Sequence, residues 1–423
     1  MSSKKRYDKN RRLLTVGECQ LKNGRYVYRW TDAFGLRHAV YAKDLDMLRI
    51  KKQKIQLNKL EGIREPPAGL TVERLFEIWK GLKRGIKEST YSGYVYTFDS
   101  LIRPYIGKKL VVHLKRTTIL AYYLKLLDER KLSIGTVENV HTILHQILQY
   151  AVDDDYLRKN PSDNLIKELK ASYHYKSGKR ESLSLKHEVA FLKYLMDYSR
   201  YQHWYPTFFI MANTGMRVGE LTGLRWCDVD FENGLIDINH TLVYFNNKDK
   251  DTGTACHYAI NTPKTENGVR KIVMTQAVKD AFKMQRDYLE LLGIKSIDNI
   301  DGYNDFIFLN SKGHVCNQNI LNANIHRVVN EYNSMCTNED EKLPHFSCHV
   351  LRHTYATRLI ESGANIKFVQ YQMGHSEIQT TMDIYVDVTD EFKRVQIRPF
   401  EEYMDSVLGE TSSEITDLSD YIS

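Results

Sequence analysis

The chain has 423 residues, with 60 Lys and Arg against 53 Asp and Glu, a formal net charge of +7 and 42% hydrophobic residues. The length predicts about three domains, and the mixture is that of an ordinary globular chain, which excludes disorder and collagen-like structure. No window approaches about 18 uncharged apolar residues, so no membrane partner is expected.

Residues 1–65 read as a small β-unit followed by a helix. The stretches 25–31 and 36–42 are rich in strand formers, residues 32–35 between them make a hairpin turn, and an earlier strand near 13–18 completes a three-stranded sheet with one packed face. Residues 44–60 look helical and very basic, until Pro66, Pro67 and Gly69 break the pattern as a linker. From Thr71, a candidate cap for a helix that keeps Leu75, Phe76, Ile78, Trp79 and Leu82 on a 3.6 period, the pattern is helical. Further segments at 89–104, 116–130 and 134–152 predict a four-helix unit over residues 71–170, with Asn160-Pro161 ending the run. Residues 172–180 are polar, basic and nonperiodic and read as a second linker.

Residues 181–400 mix helices with one β-region. The segments 235–245 and 256–262 flank a loop at 246–254, and 269–274 follows the turn Glu266-Asn267-Gly268, which predicts a three-stranded meander. Residues 401–423 carry seven acids and no Lys or Arg. There Ile415, Leu418 and Ile422 behind Ser412 and Ser413 describe a short amphipathic helix, with a frayed solvated end as the alternative. The expected fold class is a multidomain α+β protein: a sheet with a helix, a helical unit, and a mostly helical third unit with a small antiparallel sheet.

Charge is unevenly distributed along this order. Residues 1–65 hold 17 Lys and Arg against 7 Asp and Glu (+10), residues 66–180 hold 20 against 12 (+8), and residues 181–423 hold 23 against 34 (−11). Basic residues concentrated in the first 180 suggest a polyanion partner, most plausibly nucleic acid, or else a solvated basic surface. The start MSSKKRYDKNRRLL has no apolar run behind it and predicts no secretory signal. The six cysteines form no CxxC pair, and a reducing cytoplasm fits them best.

Four short blocks carry chemistry. In Thr214-Gly-Met-Arg-Val-Gly-Glu-Leu221, Arg217 falls in the first turn of a helix, where a guanidinium beside free backbone N–H groups suits an anion. Glu220 lies three residues on and can brace it. By itself this also reads as an ordinary surface ion pair. In His345-Phe-Ser-Cys-His-Val-Leu-Arg-His353, with Ser347 a candidate cap and Gly363 a candidate stop, His349, Arg352 and His353 share one helix face. Two imidazoles and a guanidinium there are natural around a phosphate. A zinc site built from His345, Cys348, His349 and His353 is the rival, and an arginine amid the ligands opposes it. In Gln372-Met-Gly-His-Ser376, Gly374 ends a helix, Ser376 caps the next and His375 sits in the turn, with Tyr385 ten residues on. Finally Lys264, in Thr262-Pro-Lys-Thr265, lies at the tip between two strands, where it could reach a ligand.

In this order the blocks resemble the tyrosine recombinases, the phage-type integrases. The spacings from Arg352 to His375 and from His375 to Tyr385 fit that family, and the similarity runs from about residue 71 to 395. Residues 1–65 resemble, over a shorter stretch, the arm-binding domain of integrases from conjugative transposons. Met373 stands where leucine is usual and Asp387 where histidine is common, neither at a catalytic position. The resemblance implies a site-specific recombinase that cuts and rejoins DNA through a 3′-phosphotyrosine, with no metal, cofactor or ATP. Tyr385 would be the nucleophile and Arg217 and Arg352 the phosphate clamp. His349 would be the proton acceptor, His375 a further phosphate donor, Lys264 the general acid, and Glu220 a support. It implies crossover and arm-type DNA sites as partners, a homotetrameric synapse and, optionally, an excisionase. The rivals are a type IB-like topoisomerase, a catalytically silent DNA-binding regulator of the same fold, and a zinc hydrolase.

Overall fold

The computed structural model describes residues 5–31, 35, 37–61, 63, 69–175, 181–245, 257–263, 268–386 and 397–406, with the backbone alone for Tyr385 and Val386. The expected turn at 32–35 lies outside them save for Gly35. Lys264, the loop 246–254, Asp387 and the tail beyond residue 406, with Ile415, Leu418 and Ile422, also lie outside. By its internal contacts the chain divides into two units, residues 1–177 and 178–423.

The first unit begins with a short β1 (Arg6–Tyr7) paired to β2 (Leu13–Leu14), then an antiparallel sheet of β3 (Glu18–Gln20), β4 (Tyr26–Thr31) and β5 (Arg37–Ala42), with β4 central. The side-chain period of two sorts this sheet. Tyr26, Tyr28 and Ala42 face α1 (Leu45–Leu60), whose Leu45 and Leu48 are fully buried against them. Arg29, Arg37 and Tyr41 point the other way and are exposed. Asp44 caps α1 by accepting from the Met47 amide at 2.8 Å. At Gly17 the backbone is left-handed, and a Cβ there would lie 2.5 Å from the Arg29 carbonyl oxygen, so the bend into β3 requires glycine.

A separate helical core follows. It comprises α2 (Val72–Leu82), α3 (Glu88–Thr97) running on into a π-helical stretch (Phe98–Gly107), α4 (Arg116–Asp128) and α5 (Ile134–Asp153). Thr71 and Ser133 cap α2 and α5 through their hydroxyls. The π stretch contains Pro104, which has no amide hydrogen for an α-helical ladder. The four expected helices are present, and a two-turn α6 (Leu165–Ser172) is added, burying Leu165 and Leu169 on the same core.

The second unit is mostly helical: α7 (Leu185–Asp197), α8 (Tyr205–Thr214), the short α9 (Val218–Thr222), then the strands, then α10 (Gln276–Leu291), α11 (Gln318–Met335), α12 (Cys348–Glu361), α13 (Ile366–Met373) and α14 (Ile378–Val386). The strand region corrects the expected meander. β6 (Val229–Asp230), β7 (Leu235–Ile238) and β10 (Arg270–Val273) form one antiparallel sheet with β7 central, while β8 (Thr241–Phe245) pairs only with β9 (His257–Asn261) among the described strands. The run 235–245 is two strands, because buried His240 turns the chain between them and its Nε2 bonds the Gly223 carbonyl at 2.7 Å. Residues 397–406 are helical.

Candidate active site

The site grows from two chain turns, one strand and one helix that meet in the second unit. Helix α8 ends on Gly215 at φ +62°, where a Cβ would lie 2.4 Å from Tyr355 Cδ1, so only glycine closes this turn. Arg217 then stands as the N-cap residue of α9, one position before the helical turn expected for it. Glu220 reaches back: its Oε2 accepts from the Arg217 amide at 2.8 Å and its Oε1 from Arg217 Nη1 at 2.7 Å.

Helix α13 ends on Gly374, also left-handed, and its last carbonyls have no partner within the helix. Three different arginines fill three consecutive ones. Arg270 Nε donates to the Gln372 carbonyl at 2.8 Å, Arg352 Nη2 to that of Met373, and Arg217 Nη2 to that of Gly374 at 2.8 Å. The negative end of a helix dipole is a natural seat for cations. Arg352 Nη1 also donates to the Gly215 carbonyl at 2.6 Å, which ties the turn before Arg217 to the turn before His375.

Arg352 is only 4% exposed and Arg270 2%, whereas the Arg217 side chain keeps 42% of its surface in solvent. Three guanidiniums face one carboxylate, a net +2. Burial would raise the Glu220 carboxyl, but the hydrogen bonds and charge of Arg270, helped by Arg217 and Arg352, hold it down at about 2. Burial, then the charge of Arg217 and Arg270 against the opposing Glu220, pushes Arg352 down to about 9. His375, 8% exposed with Nδ1 3.0 Å from the Thr381 hydroxyl, is pushed down to about 3 by burial and then by the charges of Arg352, Arg217, Arg270 and His349. It is therefore neutral near pH 7. A cluster whose positive charge outweighs its single carboxylate in this way favours an anion.

The structure thus brings Arg217, Glu220, Arg352 and His375 together. His349 is exposed one turn before Arg352 on α12, and His353 is half-buried one position after it. Ser347 takes the N-cap position of α12 without a side-chain capping bond. Tyr385 lies at the C-terminal end of α14, its side chain outside the description, and Lys264 is likewise undescribed. Arg270 was missed in the sequence. Its signal was the alternation of β10, where Arg270 and Ile272 share the buried face. Among the described residues no three His, Cys, Asp or Glu side chains converge as a metal site. Cys348, one of the proposed zinc ligands, is buried in the core, and burial pushes its thiol up to about 12.

Comparison with known proteins adds two family matches. Residues 185–391 fit the Phage integrase family and residues 1–63 the DNA binding domain of tn916 integrase. The transposase from transposon Tn916 of Enterococcus faecalis is 32% identical over 400 residues, covering 92% of this chain and 94% of that protein. The ICEBs1 integrase of Bacillus subtilis is 25% identical over 304 residues, 71% of this chain and 74% of that one. Among solved structures, a Tn1549 transposon integrase in complex with a circular intermediate DNA superposes with a TM-score of 0.68 at 30% identity, over 78% of this chain and 99% of that one. A lambda integrase tetramer bound to a Holliday junction shares the fold, with a TM-score of 0.51 at 17% identity over 87% of this chain and 94% of that one.

Proposed function

The chain belongs to the phage integrase family; it is a site-specific DNA recombinase that integrates and excises a transposon, and we propose that Tyr385 is its nucleophile. The observation that carries this reading is the arginine cluster, in which Arg217 and Arg352 are anchored on the carbonyls that precede His375 and gather a net positive charge beside it.

The scissile phosphate sits against Arg217 and Arg352, whose forked donors grip its nonbridging oxygens and stabilise the charge that grows in the transition state. The Tyr385 oxygen attacks phosphorus, and its proton passes to His349. A phenol with an ordinary pKa of about 10 needs that acceptor. The tyrosine–phosphorus bond forms as the bond to the 5′ oxygen breaks, and Lys264 gives that oxygen its proton, which leaves a 3′-phosphotyrosine and a free 5′-hydroxyl. His375 contributes one donor: in the tautomer whose Nδ1 accepts from the Thr381 hydroxyl, 3.0 Å away, the ring proton is on Nε2 and available to the phosphate. The anion cancels part of the charge that keeps His375 deprotonated, so substrate binding itself raises the proton affinity of the ring. Because the tyrosyl ester keeps the free energy of the phosphodiester, rejoining is the same step reversed with a new 5′-hydroxyl.

The domains divide the DNA. Residues 1–65 bind an arm-type site through the exposed face of the sheet, with Arg29, Arg37 and Tyr41 toward the major groove. Residues 71–170 and 181–400 bind the crossover site, which the latter cleave, and the acidic residues 401–423 dock on a neighbouring subunit of a homotetrameric synapse. An excisionase can bias the direction.

The test is Tyr385→Phe on a nicked suicide substrate, where the severed strand diffuses away and traps the adduct. The variant should bind the crossover site as the parent does and form no covalent complex. An adduct that survives the substitution moves the nucleophile elsewhere.

A further inference from the structure

Arg270 lies at the centre of the arginine cluster, yet its side chain has no solvent-exposed surface, so DNA phosphate has no path to its guanidinium in this arrangement. Its contacts are all internal. Nη1 and Nη2 grip the two oxygens of Glu220 at 3.2 and 2.8 Å, and Nε holds the Gln372 carbonyl at 2.8 Å. Resting on the functional reading above, the structure assigns Arg270 a positioning role: it satisfies half of Glu220 so that Glu220 braces Arg217 without claiming it from the phosphate, and it fixes the turn that presents His375.

The hydrogen-bond count supports this. The two Glu220 oxygens receive four donations, two from Arg217 (its amide and Nη1) and two from Arg270. Two carboxylate oxygens offer about four acceptor sites, so the group is saturated. Without Arg270, a carboxylate only 5% exposed keeps two empty sites and an unbalanced charge. The nearest mobile cation is Arg217, which is part-exposed and has an Nη2 now spent on Gly374. It would swing to fill Glu220 and be lost to the substrate. The same loss frees the Gln372 carbonyl, the first of the three that hold the turn before His375.

Position in the chain gives the contact a further consequence. Arg270 opens β10, six residues after Lys264, and its partner in the strand register is Ile238 of β7. β10 is therefore bolted to the proposed phosphate clamp by a forked ion pair, the geometry that lysine cannot reproduce.

The experiment uses the full chain on the nicked suicide substrate, with the cleavage rate read at saturating DNA, crossover-site Kd read separately, and rates normalised to the folded fraction from near-UV circular dichroism. Arg270→Met should cleave about 10²-fold slower while Kd stays within about threefold, as for a group acting on the reaction step rather than on binding. The double variant Arg270→Met with Glu220→Gln removes the unbalanced carboxylate charge and should recover about tenfold over Arg270→Met, a coupling that mere loss of packing would not give. Arg270→Lys keeps the charge without the fork and should cleave about tenfold slower, which preserves the test should the methionine variant not fold. Near-parental cleavage by Arg270→Lys, or a double variant no faster than the folded single, overturns the assignment. An adduct surviving in Tyr385→Phe overturns the functional reading instead, so the two fail separately.

Discussion

Arg29 and Arg37, on the sheet of the first unit, stand in water, whereas Arg270 and Arg352 in the second unit are 2% and 4% exposed. The first pair belongs to a region of +10 in 65 residues, and the second to a region of −11 in 243. Regional charge therefore does not locate the phosphate chemistry. A solvated guanidinium attracts DNA over a Debye length and is screened by salt. A buried one, held on helix carbonyls and balanced by a single carboxylate, is insulated from salt and acts only on the group that enters its pocket. On the reading proposed above, the basic surface finds DNA and the small cationic cluster in an acidic unit acts on it.

Substituting lysine in both regions gives the widest separation. Arg217→Lys and Arg352→Lys keep the charge but lose the planar fork, and cleavage of the suicide substrate should fall on the order of 10²-fold or more. Arg29→Lys should leave cleavage within about twofold, because a surface phosphate contact tolerates a point charge. Equal losses at the two kinds of site would erase the distinction.

The next effect falls on the turn that makes the pocket. Gly215→Ala places a side chain at φ +62° against Tyr355, at a cost on the order of 2 kcal/mol in unfolding free energy from the left-handed backbone and the clash together. Because the Gly215 carbonyl also holds Arg352, cleavage should fall by more than the loss of folded protein explains. Denaturant unfolding and suicide-substrate rates measured on one preparation check both. A fully stable variant would mean the turn does not need its glycine.

How much of this the sequence disclosed depends on whether a feature is local. Thr71 could be read as the cap of the helix it precedes because a capping bond spans three residues, and Ser133 and Asp44, not singled out in the sequence, cap theirs over the same span. Glu220 could be paired with Arg217 for the same reason. The β-region was misread because composition signals strand without giving its partner, and the break at His240 depends on a carbonyl seventeen residues away. Arg270 was missed for a similar reason. Its partners, Glu220 and Gln372, lie 50 and 102 residues away, and no short motif announces a buried charge whose balance arrives from elsewhere. The three arginine-filled carbonyls of α13 are likewise a property of the fold rather than of any one segment.

A smaller effect tests the solvated arginines. Arg29→Ala and Arg37→Ala should each weaken binding of the 1–65 region to an arm-type site by under about tenfold, and each should reduce the salt slope of log Kd by about 1, as loss of one phosphate contact requires. The cleavage rate in the preformed crossover complex should be nearly independent of salt over the same range. A catalytic step that follows salt as steeply as arm binding would mean that Arg352 is as accessible to salt as the arginines of the sheet.

The smallest expected signal comes from His375, and it is a constancy. Its proton affinity in the folded chain is depressed to about 3, first by burial and then by the arginine charges, against an ordinary value of about 6.5. The unfolded chain therefore binds a proton below about pH 6.5 that the folded chain refuses. The stabilisation from keeping this ring neutral is complete above about 6.5 and is lost as pH falls toward 3. In DNA-free protein the ring resonances of His375, identified by their absence in His375→Gln, should not titrate between pH 8 and 5. On binding a crossover site whose phosphate occupies the pocket, the His375 midpoint should move upward, because the anion offsets the arginines that hold it down. A His375 that titrates near 6.5 without DNA would mean that the arginine cluster is hydrated like the surface of the first unit, and the contrast between the two regions would fail at its most sensitive point.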